Sequence, residues 1–445
     1  MIDTFTIRCN ILHLAFSGKL TNQIKEEGTA KDILDLISNR KPLVSVEDGP
    51  YTLPDSWAWV RLKDLYKINP RIIADNDTEA AFIPMERISG GFDRSFTFEI
   101  QKWEKASKNH TKFEDGDIAF AKITPCFENR KSFIAQDLPN GIGGGTTELI
   151  ILRQKEMLPQ YTYYLVLDQR FISTGTASYK GVVGQQRVQS DVIKNYLVPV
   201  APYSEQKRIV KKIEQVFSIL DTIDELQAQY ADNLTALKSK LIDAAIQGKL
   251  TEQLPEDGTA EELYQQIQEE KQKLIKEGKI KKQKPLPEIT DDEIPFDIPE
   301  NWKWVRLGKL ISIESGRGLT ASNMNPGDFP VYGGNGIAGY HNCGFVPSKT
   351  IVIGRVGYYC GSVHITEKES WVTDNAFVTS YPEKHIDKYY LAYTLQHMKL
   401  GQNNNGAAQP VVSGKKIYPL AFPLPPLAEQ KRIVQKLDEI LPLCE

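Results

Sequence analysis

Leu53-Pro-Asp-Ser-Trp-Ala-Trp-Val-Arg-Leu-Lys-Asp-Leu65 occurs a second time in this chain, as Ile298-Pro-Glu-Asn-Trp-Lys-Trp-Val-Arg-Leu-Gly-Lys-Leu310. Two further pairs keep the same order. Gly18-Lys-Leu-Thr21 with Glu26-Glu-Gly-Thr-Ala30 matches Gly248-Lys-Leu-Thr251 with Glu256-Asp-Gly-Thr-Ala260, and Glu205-Gln-Lys-Arg-Ile-Val210 matches Glu429-Gln-Lys-Arg-Ile-Val434. Three matches in one order mark a duplicated unit, which sets the architecture before any local reading does. Trp57 and Glu205 stand 148 positions apart, but Trp302 and Glu429 only 127. The repeated segments align without gaps, whereas the stretches between them differ in length and share little sequence. A fixed frame with two unlike inserts suits a protein that reads two different things at a set separation.

Between the inserts the pattern changes to that of a helix. Ser204 to about Gln247 contains neither Pro nor Gly. Ile209, Ile213, Val216, Leu220, Ile223, Tyr230, Leu234, Leu237 and Leu241 alternate steps of four and three, interrupted at Gln227, which is coiled-coil spacing. Such a helix is roughly 65 Å long and needs a partner for its apolar seam. Phe5–Thr21 resembles Thr235–Thr251, the second half of this helix, and Glu429–Leu441 resembles its first half. The two chain ends are therefore expected to meet as a split copy of the central helix, antiparallel to it, with the termini close together. The inserts read as mixed α/β, with strands at Asp117–Ile123, Thr147–Arg153 and Thr350–Val356. Glu261–Lys284 reads as a solvated, charged helix ahead of a Pro-rich link.

With 445 residues the chain exceeds one ordinary core, and two domains are expected. Its net charge of −3 gives no support to a nucleic-acid partner. Five scattered cysteines (Cys9, Cys126, Cys343, Cys360, Cys444) suggest a reducing compartment rather than a disulfide frame or zinc site. No signal peptide or bilayer-spanning run is legible, so a cytoplasmic protein without a membrane partner is expected. Catalytic signatures are missing. Asn69-Pro70 is followed by Arg71 rather than a second proline, no phosphate-binding Gly-rich loop with Lys-Ser/Thr occurs, and the six histidines lack metal-ligand spacing. Gly354-Arg-Val-Gly-Tyr-Tyr-Cys-Gly361 reads as a hairpin. No catalytic residue, metal or cofactor is expected on this chain.

The chain resembles the specificity subunits of type I restriction-modification enzymes over nearly its whole length. The resemblance rests on the paired Pro-x-x-Trp-x-Trp-Val-Arg-Leu motif, on Phe422-Pro-Leu-Pro-Pro-Leu-Ala-Glu-Gln-Lys-Arg432, and on the insert sequences Phe113–Cys126 and Phe329–Ile337. It implies two target-recognition domains in pseudo-symmetric tandem repeat, separated by long antiparallel coiled-coil spacer helices. Residues 1–23 would form the N-terminal half of a split distal spacer helix, 24–203 the first recognition domain and 204–250 the central spacer. Residues 251–427 would form the second recognition domain and 428–445 the C-terminal half of the distal spacer, a second spacer built from two short pieces. Implied partners are double-stranded DNA, two methyltransferase subunits and restriction/translocase subunits, with S-adenosylmethionine, ATP and Mg carried by those subunits. The rival readings are a protein-binding coiled-coil scaffold without DNA recognition, a module of another defence system on the same frame, and a self-contained methyltransferase.

DNA reading needs Arg, Lys, Asn or Gln at base edges and further cations on phosphates. In the first insert the candidates are Lys122, Thr124, Arg130, Lys131, Thr146, Thr147, Tyr179, Gln185, Gln186 and Arg187. Gly141–Thr147 is a run through which backbone could approach DNA. In the second insert they are Arg317, Tyr332, Asn335, Tyr340, His341, Arg355, Tyr358, Asn375, Asn403, Asn404 and Gln409. Trp57, Trp59, Trp302 and Trp304 are assigned to packing. Glu205, Lys207, Arg208, Glu429, Lys431 and Arg432 open their helices and are candidates for docking partner subunits.

Overall fold

Each Trp-x-Trp-Val-Arg segment opens an insert as a strand and pairs with the strand that closes that insert. In a computed structural model describing residues 1–37, 49–154, 156–182, 184–278, 284–398, 400–401 and 411–444, Ala58–Arg61 pairs antiparallel with Leu197–Val200. Lys303–Arg306 pairs the same way with Ala421–Leu424. Pro199 faces Trp59 and Pro423 faces Trp304, positions that two-stranded ladders tolerate because each strand has a free edge. Contacts divide the chain into two units, Met1–Ala228 and Gln229–Glu445.

In the first unit one four-stranded sheet runs Lys67–Ile68, Leu149–Arg153, Ile118–Ala121, Ser132–Ile134. A second runs Glu99–Lys102, Glu79–Ile83, Ile142–Gly145, Thr111–Glu114. The second unit repeats the first of these as Ser312–Ser315, Ala376–Ser380, Ile351–Gly354, Val363–Ile365. Its other sheet has three strands, Gly336–His341, Phe329–Gly333 and Trp371–Val372. The inserts share little sequence yet follow one strand order. Ile351–Gly354 and Val363–Ile365 are an antiparallel pair, so the spaced glycines of 354–361 do lie in a hairpin.

The helix Tyr203–Ile246 starts directly after Pro202 and has 44 residues. In the first unit the helix Thr4–Phe16 runs antiparallel along its beginning. Thr4 Oγ1 donates to Asp224, Arg8 reaches Asp221 and Asp224 at 2.6 and 2.9 Å, and Thr21 reaches Glu205. Leu12, Phe16, Ile209, Ile213 and Leu220 are buried in one cluster with Trp57 and Tyr161. In the second unit Ile433, Val434 and Leu437 of the helix Leu427–Ile440 share a core with Ala245 and Trp302. Two expected seam residues, Tyr230 and Leu237, are exposed. Ala260–Lys276 is not simply a solvated bracket, for Leu263 and Ile267 are buried in the core. Lys271 donates to the carbonyls of Gly308 and Ile311, and burial lowers its ammonium pKa to about 8.

Gly18 and Gly248 end their helices at φ +70. Lys19 and Lys249 then donate back to Leu14 and Ala244 at 2.9 and 2.8 Å, closing the last turn in the left-handed manner that favours glycine. A Cβ at either would come within 2.4 Å of Pro54 or Pro299 Cγ, so the helix end and the Pro-x-x-Trp motif are fitted together.

Candidate nucleic-acid interface

The Glu-Gln-Lys-Arg segments form an internal clasp, built twice. Glu205, 1% exposed, accepts from Trp57 Nε1 at 2.8 Å and from Thr21 and Gln23 at 3.0 Å. Glu429, fully buried, accepts from Trp302 Nε1 at 2.8 Å and from Thr251 and Gln253 at 3.1 and 2.9 Å. Arg208 pairs with Glu27, and Arg432 with Asp257, each at 2.6 Å. The hydrogen bond from Arg432 holds the Asp257 carboxyl below its ordinary pKa. Glu205 and Glu429 are thus buried inside their own units, which corrects their assignment as docking groups; Arg208 and Arg432 are paired there too but keep 31% of their side chains exposed. Lys207 and Lys431 remain exposed. The tryptophans pack as expected: Trp57, Trp59 and Trp302 are buried, and Trp304 lies 4.9 Å from the Phe296 ring.

Several expected DNA-facing residues are interior. Arg130 is 6% exposed. Its Nε donates to Leu167 O at 2.9 Å, its Nη2 to Gln169 at 2.6 Å, and its guanidinium lies 5.0 and 5.4 Å from the Phe5 and Phe92 rings. Lys131 is half-buried rather than interior, and its Nζ donates to Met85 O at 2.9 Å. Tyr332 and His341 are buried, the latter accepting from Asn325 N at 3.0 Å. The glycine run is a buried strand: a Cβ on Gly144 would meet Ala106 O at 1.8 Å, so small residues here admit a helix rather than DNA. Asn403, Asn404 and Gln409 lie outside the described residues.

The remaining candidates of the first insert converge. The stretch following Ile118–Ala121 is met by the stretch preceding Ser190. Lys122 N donates to Glu148 O at 2.8 Å, Thr124 N to Gln186 O at 2.9 Å and Val188 N to Lys122 O at 2.9 Å, and Ile123 bridges Arg187. Thr146 and Thr147 precede Glu148, whose carboxylate holds Arg187. Those hydrogen bonds raise the guanidinium pKa further above its ordinary range. Tyr179 sits behind this ridge, 6.3 Å from the Phe127 ring, and burial raises its phenol.

The second insert repeats the backbone pattern. Arg355 N donates to Asn375 O at 2.8 Å and Val412 N to Arg355 O at 2.8 Å, and Val356 bridges Val411. Lys122, Glu148 and Arg187 of the first unit therefore correspond to Arg355, Asn375 and Val411 of the second. Arg355 Nη1 donates to Ser315 Oγ at 3.2 Å. Asn335 is exposed, in a turn whose Gly334 abuts Val356 O. Tyr358 is 87% exposed and meets Tyr359 ring to ring at 5.0 Å. Arg317 lies over the Phe345 ring at 4.2 Å, and Tyr340 is exposed on the outer strand of the three-stranded sheet. Sequence reading missed Glu148 and Tyr359; the acidic residue directly after Thr146-Thr147 was the available signal. Among the described residues no cluster of His, Cys, Asp or Glu could hold a metal, and no helix is long and apolar enough to cross a membrane.

The profile of the type I restriction modification DNA specificity domain matches residues 54–229 and 299–442. The chain belongs to this family. The EcoAI specificity subunit of Escherichia coli is 31% identical, covering 98% of this chain and 88% of that protein. The EcoEI specificity subunit of E. coli is 37% identical over 68% of this chain, which spans 61% of that relative's length. Two solved structures share the fold. One is a chain from a type I R-M system, with 19% identity, 89% of this chain and 92% of that chain covered, and a TM-score of 0.67. The other is the HsdS subunit of Thermoanaerobacter tengcongensis, with 20% identity, 90% and 92% covered, and a TM-score of 0.52. In this specificity-family chain both profile matches begin at the Pro-x-x-Trp motif and contain one copy of the sheet pattern and of the Trp–Glu bond of the clasp. The scaffold and stand-alone methyltransferase alternatives gain nothing from these relatives.

Proposed function

We propose that this chain is the non-catalytic specificity subunit of a type I restriction-modification complex, reading a bipartite, asymmetric site in double-stranded DNA. The observation that carries this is the pair of equivalent backbone platforms bearing unlike side chains: Lys122, Glu148 and Arg187 on one, Arg355, Asn375 and Val411 on the other. A shared backbone hydrogen-bond pattern with different readers suits two different half-sites, because base discrimination depends on side-chain donors and acceptors. Thr124, Thr146, Thr147, Gln185 and Gln186 extend the first reading face, and Asn335, Tyr358 and Arg317 the second.

The helix Tyr203–Ile246, with Thr4–Phe16 and Leu427–Ile440, serves in this reading as the spacer system on which two methyltransferase subunits dock. Restriction subunits join them, and S-adenosylmethionine, ATP and Mg belong to those partners. The complex acts in the cytoplasm. The test is co-expression with the methyltransferase subunit of its own system, followed by mapping of methylated adenines across a host genome. One interrupted motif with two unlike halves is expected; a stable complex that leaves the genome unmethylated would overturn the reading.

A further inference from the structure

Arg187 is held differently from the other exposed cations of its unit. Its side chain is 44% exposed, yet its guanidinium is fixed on three sides of its own structure. Nε donates to both carboxylate oxygens of Glu148 at 3.1 and 3.0 Å, and Nη2 to Glu148 Oε1 at 2.8 Å. Nη1 donates to Gln185 O at 3.0 Å. The Glu148 backbone that carries this carboxylate is itself tied, since Glu148 O accepts from Lys122 N and Glu148 N donates to Thr146 Oγ1 at 3.3 Å. The arginine backbone is tied on both sides, bridging Ile123 and Lys180.

A guanidinium has five N–H groups. With Nε occupied and one bond on each terminal nitrogen, Nη1 and Nη2 each keep one N–H for a further acceptor. Their fork fits the O6 and N7 acceptors of guanine in the major groove. An arginine locked before binding loses less rotamer freedom on contact, and Glu148 cancels the charge that would otherwise draw the side chain to any phosphate. An exposed ion pair contributes little to stability, and unlike Arg208, which joins the chain's first helix end to the central helix, Arg187 lies on the exposed ridge formed by 122–124 and 186–188.

We infer that Arg187, buttressed by Glu148, reads one guanine of the half-site assigned to the first unit. This rests on the DNA-reading function proposed above. The second unit carries Asn375 and Val411 at the corresponding places, so it has no equivalent clamp, and its half-site is read without this contact.

The experiment uses the full complex of this chain with its methyltransferase subunit and compares genome-wide methylation by the wild type, Arg187→Lys, Arg187→Ala and Glu148→Gln. Lysine keeps the charge but not the fork. Arg187→Lys and Arg187→Ala should each lose about 10- to 100-fold of preference at one G·C pair of one half-site, with the other half-site unchanged. Glu148 is a positioning residue, and Glu148→Gln should relax the same base pair by a smaller factor while strengthening binding to unrelated DNA. Uniform loss on every sequence would make Arg187 a phosphate contact, and unchanged preferences would make the pair a surface salt bridge; either overturns the inference. If Arg187→Ala fails to assemble, Arg187→Lys decides alone. A wild-type complex that yields no interrupted motif refutes the DNA-reading function itself, which distinguishes the two failures.

Discussion

Replacing Glu205 by alanine removes the acceptor around which the first unit's clasp is organised. Three donors lose their partner: the buried Trp57 indole N–H, Thr21 and Gln23. The indole N–H is left without an acceptor in the interior, which costs about 1–3 kcal/mol. Thr21 is half-buried and loses about 1 kcal/mol, while the exposed Gln23 keeps its bonds to Gly18 O and Thr21 O and loses less than that. A carboxylate in the first turn of the helix Tyr203–Ile246 contributes roughly 0.5 kcal/mol more. The expected loss is about 3–5 kcal/mol, a fall of on the order of 10 °C in the melting temperature of a unit this size. Glu205→Gln should lose about half as much, since its amide keeps one oxygen but turns an NH2 towards one of the donors. Urea unfolding followed by tryptophan emission, with the Trp57 indole NMR signal as local reporter, measures both. A Glu205→Ala protein within about 0.5 kcal/mol of the wild type, with that signal unmoved, would refute the reasoning.

Gly248→Ala should destabilise the second unit by about 2 kcal/mol, as strain at φ +70 adds to the clash with Pro299; thermal melting checks it, and a neutral result would contradict the fitted helix end. Arg130→Ala should lower stability by about 2 kcal/mol through its lost interior bonds while every base preference of the methylating complex stays intact. A change at one base pair would return Arg130 to the reading set. The Asp257 pKa is depressed in the folded protein, chiefly by the Arg432 hydrogen bond. Its contribution is therefore complete above the unfolded value near 3.8 and fades as pH falls through the lower folded value. Asp257→Asn should flatten the stability profile below about pH 4, and urea midpoints measured as pH falls from there would show whether it does.

Residue type named Arg130, Arg187 and Arg355 alike, yet the first is enclosed by Phe5, Phe92 and Leu167 O, groups from three separate stretches of chain. No local pattern announces that enclosure. The same holds for Glu205 and Glu429, whose place at a helix start is legible but whose three donors each come from elsewhere. Glu148 went unnoticed because an acidic residue reads as repulsive to DNA until its partner Arg187 is seen beside it.

What the amino-acid sequence determined by itself was the duplication, the long central helix and the strands at 118–121, 149–153 and 351–354, since these follow from repeats and from periodicity along a single segment. Only the tertiary structure decided that two inserts of unlike sequence share one strand order, and which polar side chains remain outside it. Burial and hydrogen-bond partnership depend on residues tens to hundreds of positions apart, and a one-dimensional pattern records what a side chain can donate or accept but not which distant group has already taken it up.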